Sequence, residues 1–300
     1  MKSRFIILLL LAISYLNTIP LQAQHLVWKS SYKNGISEKY LVLKKDKSIK
    51  HGQYLLVYND YWFKKYIMEV GQYENNQKAG TWIYFYFKDP SNFIKSVGDY
   101  KNGKKEGVWT YYHKDNHTTM DTMLGSSKRT RIHEPKGGTL EYKIEVDTAG
   151  HQLESTGVYL NDQKIGVWEY FSASGALVNS YDHTAGKLLV NNLEHLENSS
   201  MTYLGGISRF LNYFYTAQQE NPLKKPVTQA TEMVFEMKKN GDYNYVSGSG
   251  DALFKEHIAA ILQTIPKEWI YLDGEAKEKL QFIVKAENAK GYTIHLKAVE

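Results

Sequence analysis

Three segments of this chain nearly superimpose when laid in register, and self-similarity at a fixed interval is the signature of a stack of like units. The segments run from Gly71 to Tyr84, Gly98 to Tyr111 and Gly157 to Tyr170, and each reads G-x-Y-x-N-x-x-K-x-G-x-W-x-Y. Two weaker copies, His51-Gly52-Gln53-Tyr54 and Gly138-Thr139-Leu140-Glu141-Tyr142, fill the remaining slots. The second glycine therefore recurs at 52, 80, 107, 138 and 166, at spacings of 28, 27, 31 and 28.

The unit has a physical logic. A short strand ends in Asn-x, a polar turn with Lys follows, a glycine admits backbone geometry that other residues resist, and a second strand begins. That describes a β-hairpin. In the second strand Trp82, Tyr84 and Tyr86 fall on one face and Ile83, Phe85 and Phe87 on the other, because side chains alternate with period two. A lone hairpin cannot bury such surface, so units stacked in register predict an elongated sheet with aromatic layers as its core. The 24 Tyr, 11 Phe and 6 Trp of the chain suit that use. The regular register makes Trp82, Trp109 and Trp168 core residues first, with a row for binding a sugar or peptide as the alternative. The turn lysines Lys78, Lys104 and Lys164 would form a basic ridge, read as a solvated face before a phosphate or lipid-headgroup site.

These units resemble MORN-type repeats, in the variant found in bacterial envelope and antitoxin-like proteins. The likeness covers roughly residues 40 to 185, and the stretch from Ser174 to Asp182 resembles the one that closes such arrays. The segment from His113 to Lys136 lacks the pattern and reads as an inserted loop. The resemblance implies a binding or scaffolding surface and carries no catalytic residues with it.

After Val190 the pattern changes. Residues 191–204 read as a polar linker, giving a repeat domain over 24–190 and a second, α+β domain over 205–300. In the second domain Ile207, Phe210, Leu211 and Phe214 have helical spacing, and the run stops at Asn221-Pro222. Met233, Phe235 and Met237 then share a strand face. A second helix carries Phe254, Ile258, Ile261, Leu262 and Ile265, with Asp251 as its cap and Pro266 as its stop. Two alternating stretches, Leu280 to Ala286 and Tyr292 to Leu296, close the chain. The order resembles the C-terminal domain of TonB over about 201–287, carried by residues 235–242, Gly248-Ser249-Gly250 and Pro266-Lys267-Glu268-Trp269. The resemblance implies a sheet edge to which a partner segment adds as a strand, with Ile283 and Ile294 on the two candidate strands. Direct energy transduction is not expected, since that needs a retained membrane helix and a Pro-rich spacer, and the chain has 6 Pro.

Lys2 and Arg4, the apolar run Phe5 to Leu16, and Leu21-Gln22-Ala23 read as a secretory signal over 1–23, too short in its apolar part to span a bilayer. Net charge is +5 and spread along the chain, which argues against nucleic acid. With no Cys there is no disulfide, thiolate site or lipidated cysteine. His113 and His117 flank a turn, no H-E-x-x-H or G-x-S-x-G occurs, and Gly248-Ser249-Gly250 lacks the ending of a phosphate loop. The expectation is a mainly β plus α+β protein, exported to the periplasm or cell surface of a Gram-negative bacterium, and not an enzyme. It would use no cofactor or metal and would bind envelope proteins, an outer-membrane segment among them, with no membrane span left after cleavage. The alternatives are a cell-wall or protein hydrolase with its site in the 113–136 loop, and an antitoxin-like neutraliser.

Overall fold

The computed structural model describes residues 25–59, 65–89, 93–114, 131–133, 143–145, 151–192, 201–223, 230–237, 241–272, 279–286 and 292–299. The expected signal segment and His117 lie outside them. The chain is mainly β, built around a long antiparallel sheet of hairpins. Its strands are β1 (Leu26–Lys33), β2 (Ile36–Leu43), β3 (Asp46–Asn59), β4 (Lys65–Glu74), β5 (Gln77–Phe85), β6 (Ile94–Lys101) and β7 (Lys104–Tyr112). Then come β10 (Leu153–Leu160), β11 (Gln163–Phe171), β12 (Leu177–Asp182) and β13 (Lys187–Asn191). These eleven strands lie side by side in chain order.

The three strong repeats are the hairpins β4–β5, β6–β7 and β10–β11. Their two-residue turns, Asn75-Asn76, Asn102-Gly103 and Asn161-Asp162, have positive φ at both positions, and asparagine tolerates this better than most residues. Asn34-Gly35 makes the same turn between β1 and β2, so the array begins one hairpin before the recognisable repeat. The weak copy at 138–142 lies outside the described residues. Strand β7 is hydrogen-bonded directly to β10, from Leu153–Tyr112 to Tyr159–Gly107, so no other strand stands between them in the sheet. Between them in sequence, the described residues form a separate small ladder, β8 (Arg131–His133) with β9 (Lys143–Glu145). The insertion is therefore longer than the 113–136 that the missing pattern suggested.

The two glycines of the unit have different tasks. Gly80, Gly107 and Gly166 have φ of 59°, 70° and 59° and sit where the hairpin register shifts, so a bulge lets the second strand cross over the first. Gly71, Gly98 and Gly157 face the tryptophans. A Cβ on any of them would stand 2.3 Å from the ring of Trp82, Trp109 or Trp168. Each indole lies flat over its glycine and donates Nε1–H to the next carbonyl, of Gln72, Asp99 or Val158, at 3.1 Å.

The C-terminal half contains β14 (Met201–Tyr203), α1 (Ile207–Glu220), β15 (Thr231–Met237), β16 (Tyr243–Ser249), α2 (Ala252–Thr264), β17 (Trp269–Tyr271), β18 (Lys279–Ala286) and β19 (Tyr292–Val299). Four strands form a sheet in the order β16-β15-β18-β19, and β14 pairs with β17. Phe210 and Phe214 of α1, Phe254, Ile258, Ile261 and Leu262 of α2, and Met233, Phe235 and Met237 of β15 make one core. Asp251 caps α2 by accepting from the N–H groups of Leu253 and Phe254. Ser247 to Ser249 still belong to β16, and the corner falls at Gly250, where φ is +103°.

Residues 191–204 do not end as a linker. Met201, Tyr203 and Leu204 are buried, and Leu204 packs with Trp109, Trp168 and Tyr170 of the repeat sheet. Among the described residues no helix is long and apolar enough to cross a membrane.

Candidate functional site

On one face of the long sheet each repeat builds the same aromatic module. Lys78 Nζ lies 3.8 Å from the Trp82 ring centroid, Lys105 Nζ 4.2 Å from Trp109, and Lys164 Nζ 3.9 Å from Trp168. The same amine donates to the tyrosine two residues beyond the tryptophan, Tyr84 and Tyr111 at 2.8 Å and Tyr170 at 3.3 Å. That hydroxyl meets the next unit, as Tyr84–Tyr100 at 2.9 Å, Tyr111–Tyr159 at 3.2 Å and Tyr170–His183 at 2.9 Å. The lysine of the middle unit is Lys105. Lys104, which the sequence placed on the ridge, is one residue out of phase and exposed. The expected basic ridge is thus a set of lysines folded down onto rings. Burial holds Lys105 down to about 8, and the neighbouring Lys164 and Lys78 charges push the same way.

Trp82, Trp109 and Trp168 are fully buried, as core residues are, and Trp109 also contributes to the lining of the cavity described below. Tyr54 takes the corresponding place in the first unit and packs against Tyr73 and Trp82 at centroid distances of 5.2 and 5.3 Å. Ile283 is not on a free edge. Strand β18 ladders with β15 on one side and β19 on the other, and Ile283 is opposite both Val234 and His295. Ile294 lies in β19, opposite Val284, at the margin of the sheet. His113 is buried and donates Nε2–H to the Phe171 carbonyl at 2.8 Å. Among the described residues no cluster of three or more His, Cys, Asp or Glu could hold a metal.

The two halves meet over the last repeat through a buried charge network that the sequence did not reveal. Arg209 of α1 is 2% exposed, and its Nε donates to Glu154 Oε1 at 2.9 Å. One terminal nitrogen reaches the Leu204 carbonyl at 2.8 Å and Glu268, and the other reaches Tyr213 at 3.1 Å. Tyr213 in turn donates to Glu154 at 2.8 Å. Glu268 also takes Lys164 of the third module, so two cations and two carboxylates close the junction. Burial alone would raise Glu268, but Arg209 and Lys164 outweigh it and hold the carboxyl at about 2. The only hint in the sequence is a charge set beside residues that must be buried, Arg209 before Phe210 and Glu268 before Trp269. Neither hint names a partner.

Beside this junction the aromatic face opens into a cleft. A cavity of about 550 Å³ reaches from Tyr58 and Phe87 past Tyr84, Tyr100 and Lys105 to Glu220 at the end of α1. A smaller one of about 220 Å³ continues it along α1, sharing Lys95 and Tyr111. Lys95 bridges Glu220 at 3.2 Å and Lys114 donates to Gln219 at 2.7 Å, so the α1 end is tied across the cleft. Such an arrangement offers amines, phenolic hydroxyls and ring edges, which suit recognition. No family model, curated protein or solved structure matches the chain.

Proposed function

We propose that the chain is an exported, non-enzymatic binding protein of the cell envelope. In this reading a MORN-type array serves as a stiff platform for a domain of the TonB C-terminal kind, which captures an extended segment of an envelope partner by strand addition at β19. Backbone hydrogen bonds supply the affinity in this mode and side-chain pockets the selectivity. The supporting observation is the position of β19. It ladders with β18 from Tyr292 to Val299 and stands last in its sheet, so its outer backbone groups have no ladder partner among the described residues. The opposite edge, β16, is a poorer template. Its ladder with β15 shifts register where Val234 faces Ser247 and Phe235 faces Tyr245, and it ends in Ser-Gly-Ser at a glycine corner, features that blunt an edge.

The test is site-specific photo-crosslinking in cells of the full chain, with the reactive side chain placed in turn at Thr293, His295 and Lys297 of β19 and at Val246 of β16. Adducts with one envelope protein from β19, and none from Val246, are the expected result. Adducts from neither strand, or from Val246 alone, would remove strand capture at β19 from the account.

A further inference from the structure

Four lysines lie on the aromatic row at equivalent positions, each two residues before the bulge glycine: Lys50, Lys78, Lys105 and Lys164. An ammonium drawn against rings and out of water is costly unless an anion accompanies it. Three of the four have one. Lys50 bridges Glu38 at 2.6 Å, Lys78 bridges Glu69 at 3.3 Å, and Lys164 bridges Glu268.

The cross-strand register shows where those carboxylates come from. Glu69 stands opposite Tyr84 on the aromatic face. The equivalent position is Ser96 in the middle unit, opposite Tyr111, and Ser155 in the last, opposite Tyr170. The last unit, having a serine there, receives its carboxylate from the C-terminal half as Glu268. The middle unit also has a serine and receives none from the described residues. Among the described residues no carboxylate lies within ion-pair distance of Lys105, whose Nζ meets the Tyr111 hydroxyl and the rings of Trp109 and Tyr159. The nearby Asp162 carboxylate is engaged by the Lys105 backbone N–H at 2.7 Å. Lys105, Ser96, Tyr100 and Tyr111 all line the 550 Å³ cavity.

We infer that this cavity is a binding site for a small organic carboxylate, which docks on Lys105 as Glu268 docks on Lys164. Glu268 is the internal template for the contact, a carboxylate placed on a ring-seated lysine from outside the hairpin. The rings around Lys105 suit a ligand whose carboxylate is attached to a flat or ring-shaped body, and an aromatic acid or a uronic acid both have that chemistry. The site is separate from β19 and does not depend on strand capture.

The experiment is calorimetric or NMR titration of the full chain with benzoate and with glucuronate, using benzamide and glucose as neutral counterparts. Binding of either acid, with the neutral counterpart at least about tenfold weaker, is expected from a charge-assisted contact. Benzoate alone identifies the aromatic class, and glucuronate alone the sugar class. Lys105→Met should weaken binding by about tenfold or more, while Lys104→Met leaves it unchanged. Ser96→Glu puts the missing carboxylate back in the hairpin, so it should block the acid while leaving the chain folded with an equal or higher melting temperature. That variant keeps the test decisive even if Lys105→Met fails to fold. Failure of both acids to bind up to millimolar concentration, or binding that survives Ser96→Glu in a folded chain, overturns the assignment.

Discussion

Replacing Arg209 with Met removes the cation on which the two halves converge. The methionine is close in length and apolar, so the change is one of charge more than volume. Among the described residues Glu154 would keep only the Tyr213 hydroxyl, and Glu268 only Lys164, in a region where Arg209 is 2% and Glu154 5% exposed. Removing one partner from a buried ion network costs about 3–5 kcal/mol, because the remaining charge stays desolvated. At about 2–4 °C per kcal/mol for a chain of this size, the melting temperature should fall by roughly 10 °C. Leu204 packs on Trp109 and Trp168, so the halves share a core, and the unmodified chain should unfold in one calorimetric transition. Arg209→Met should split that transition or broaden it toward two. The double variant Arg209→Met with Glu154→Leu should recover a large part of the loss, since an apolar replacement of a whole buried pair is often neutral. Lys95→Met, which breaks a pair whose side chains are 32% and 40% exposed, should cost under about 1 kcal/mol. An Arg209→Met chain that melts within about 1 °C of the original, in one transition, would show that the charge network does not join the halves.

The two glycine classes of the repeat should separate in spectroscopy as well as in stability. Gly98→Ala drives a Cβ into the Trp109 ring and should cost about 1–3 kcal/mol with an altered near-ultraviolet circular dichroism signal. Gly107→Ala meets nothing within 4 Å but must hold φ at +70°, so it should cost about 1–2 kcal/mol with the tryptophan signal unchanged. Acid should weaken the junction through Glu268. Its folded value of about 2 lies below the ordinary 4.5, so its stabilisation is complete above about pH 4.5 and is lost as pH falls toward 2. The loss is about 3 kcal/mol, and Glu268→Gln should flatten that part of the stability profile in urea titrations at pH 6, 4 and 3.

The stacked hairpins were legible because each piece of evidence for them is local. The Asn-x turn sets its own φ, the glycine and tryptophan of one unit touch each other, and helix α2 carries its own cap and stop in Asp251 and Pro266. Identical units also have to bury identical faces, so the core role of Trp82, Trp109 and Trp168 followed from spacing alone. Phase was less secure. Lys104 and Lys105 are adjacent and alike, and the motif's own register, with its lysine two residues before the second glycine, assigns the place to Lys105, as the ring beneath it confirms. The direct pairing of β7 with β10 was not legible either, because it joins residues more than 40 positions apart. What only the tertiary structure decided is everything that joins distant stretches of chain. Arg209 meets Glu154 across 55 residues and Glu268 across 59, and Lys164 meets Glu268 across 104. A charge carries no mark of its partner in one sequence, because Coulomb attraction depends on where the fold brings it and how far water is excluded there. The same reason hid the site at Lys105. That no carboxylate among the described residues pairs with Lys105 becomes visible only when Glu38, Glu69 and Glu268 are seen beside the other three lysines.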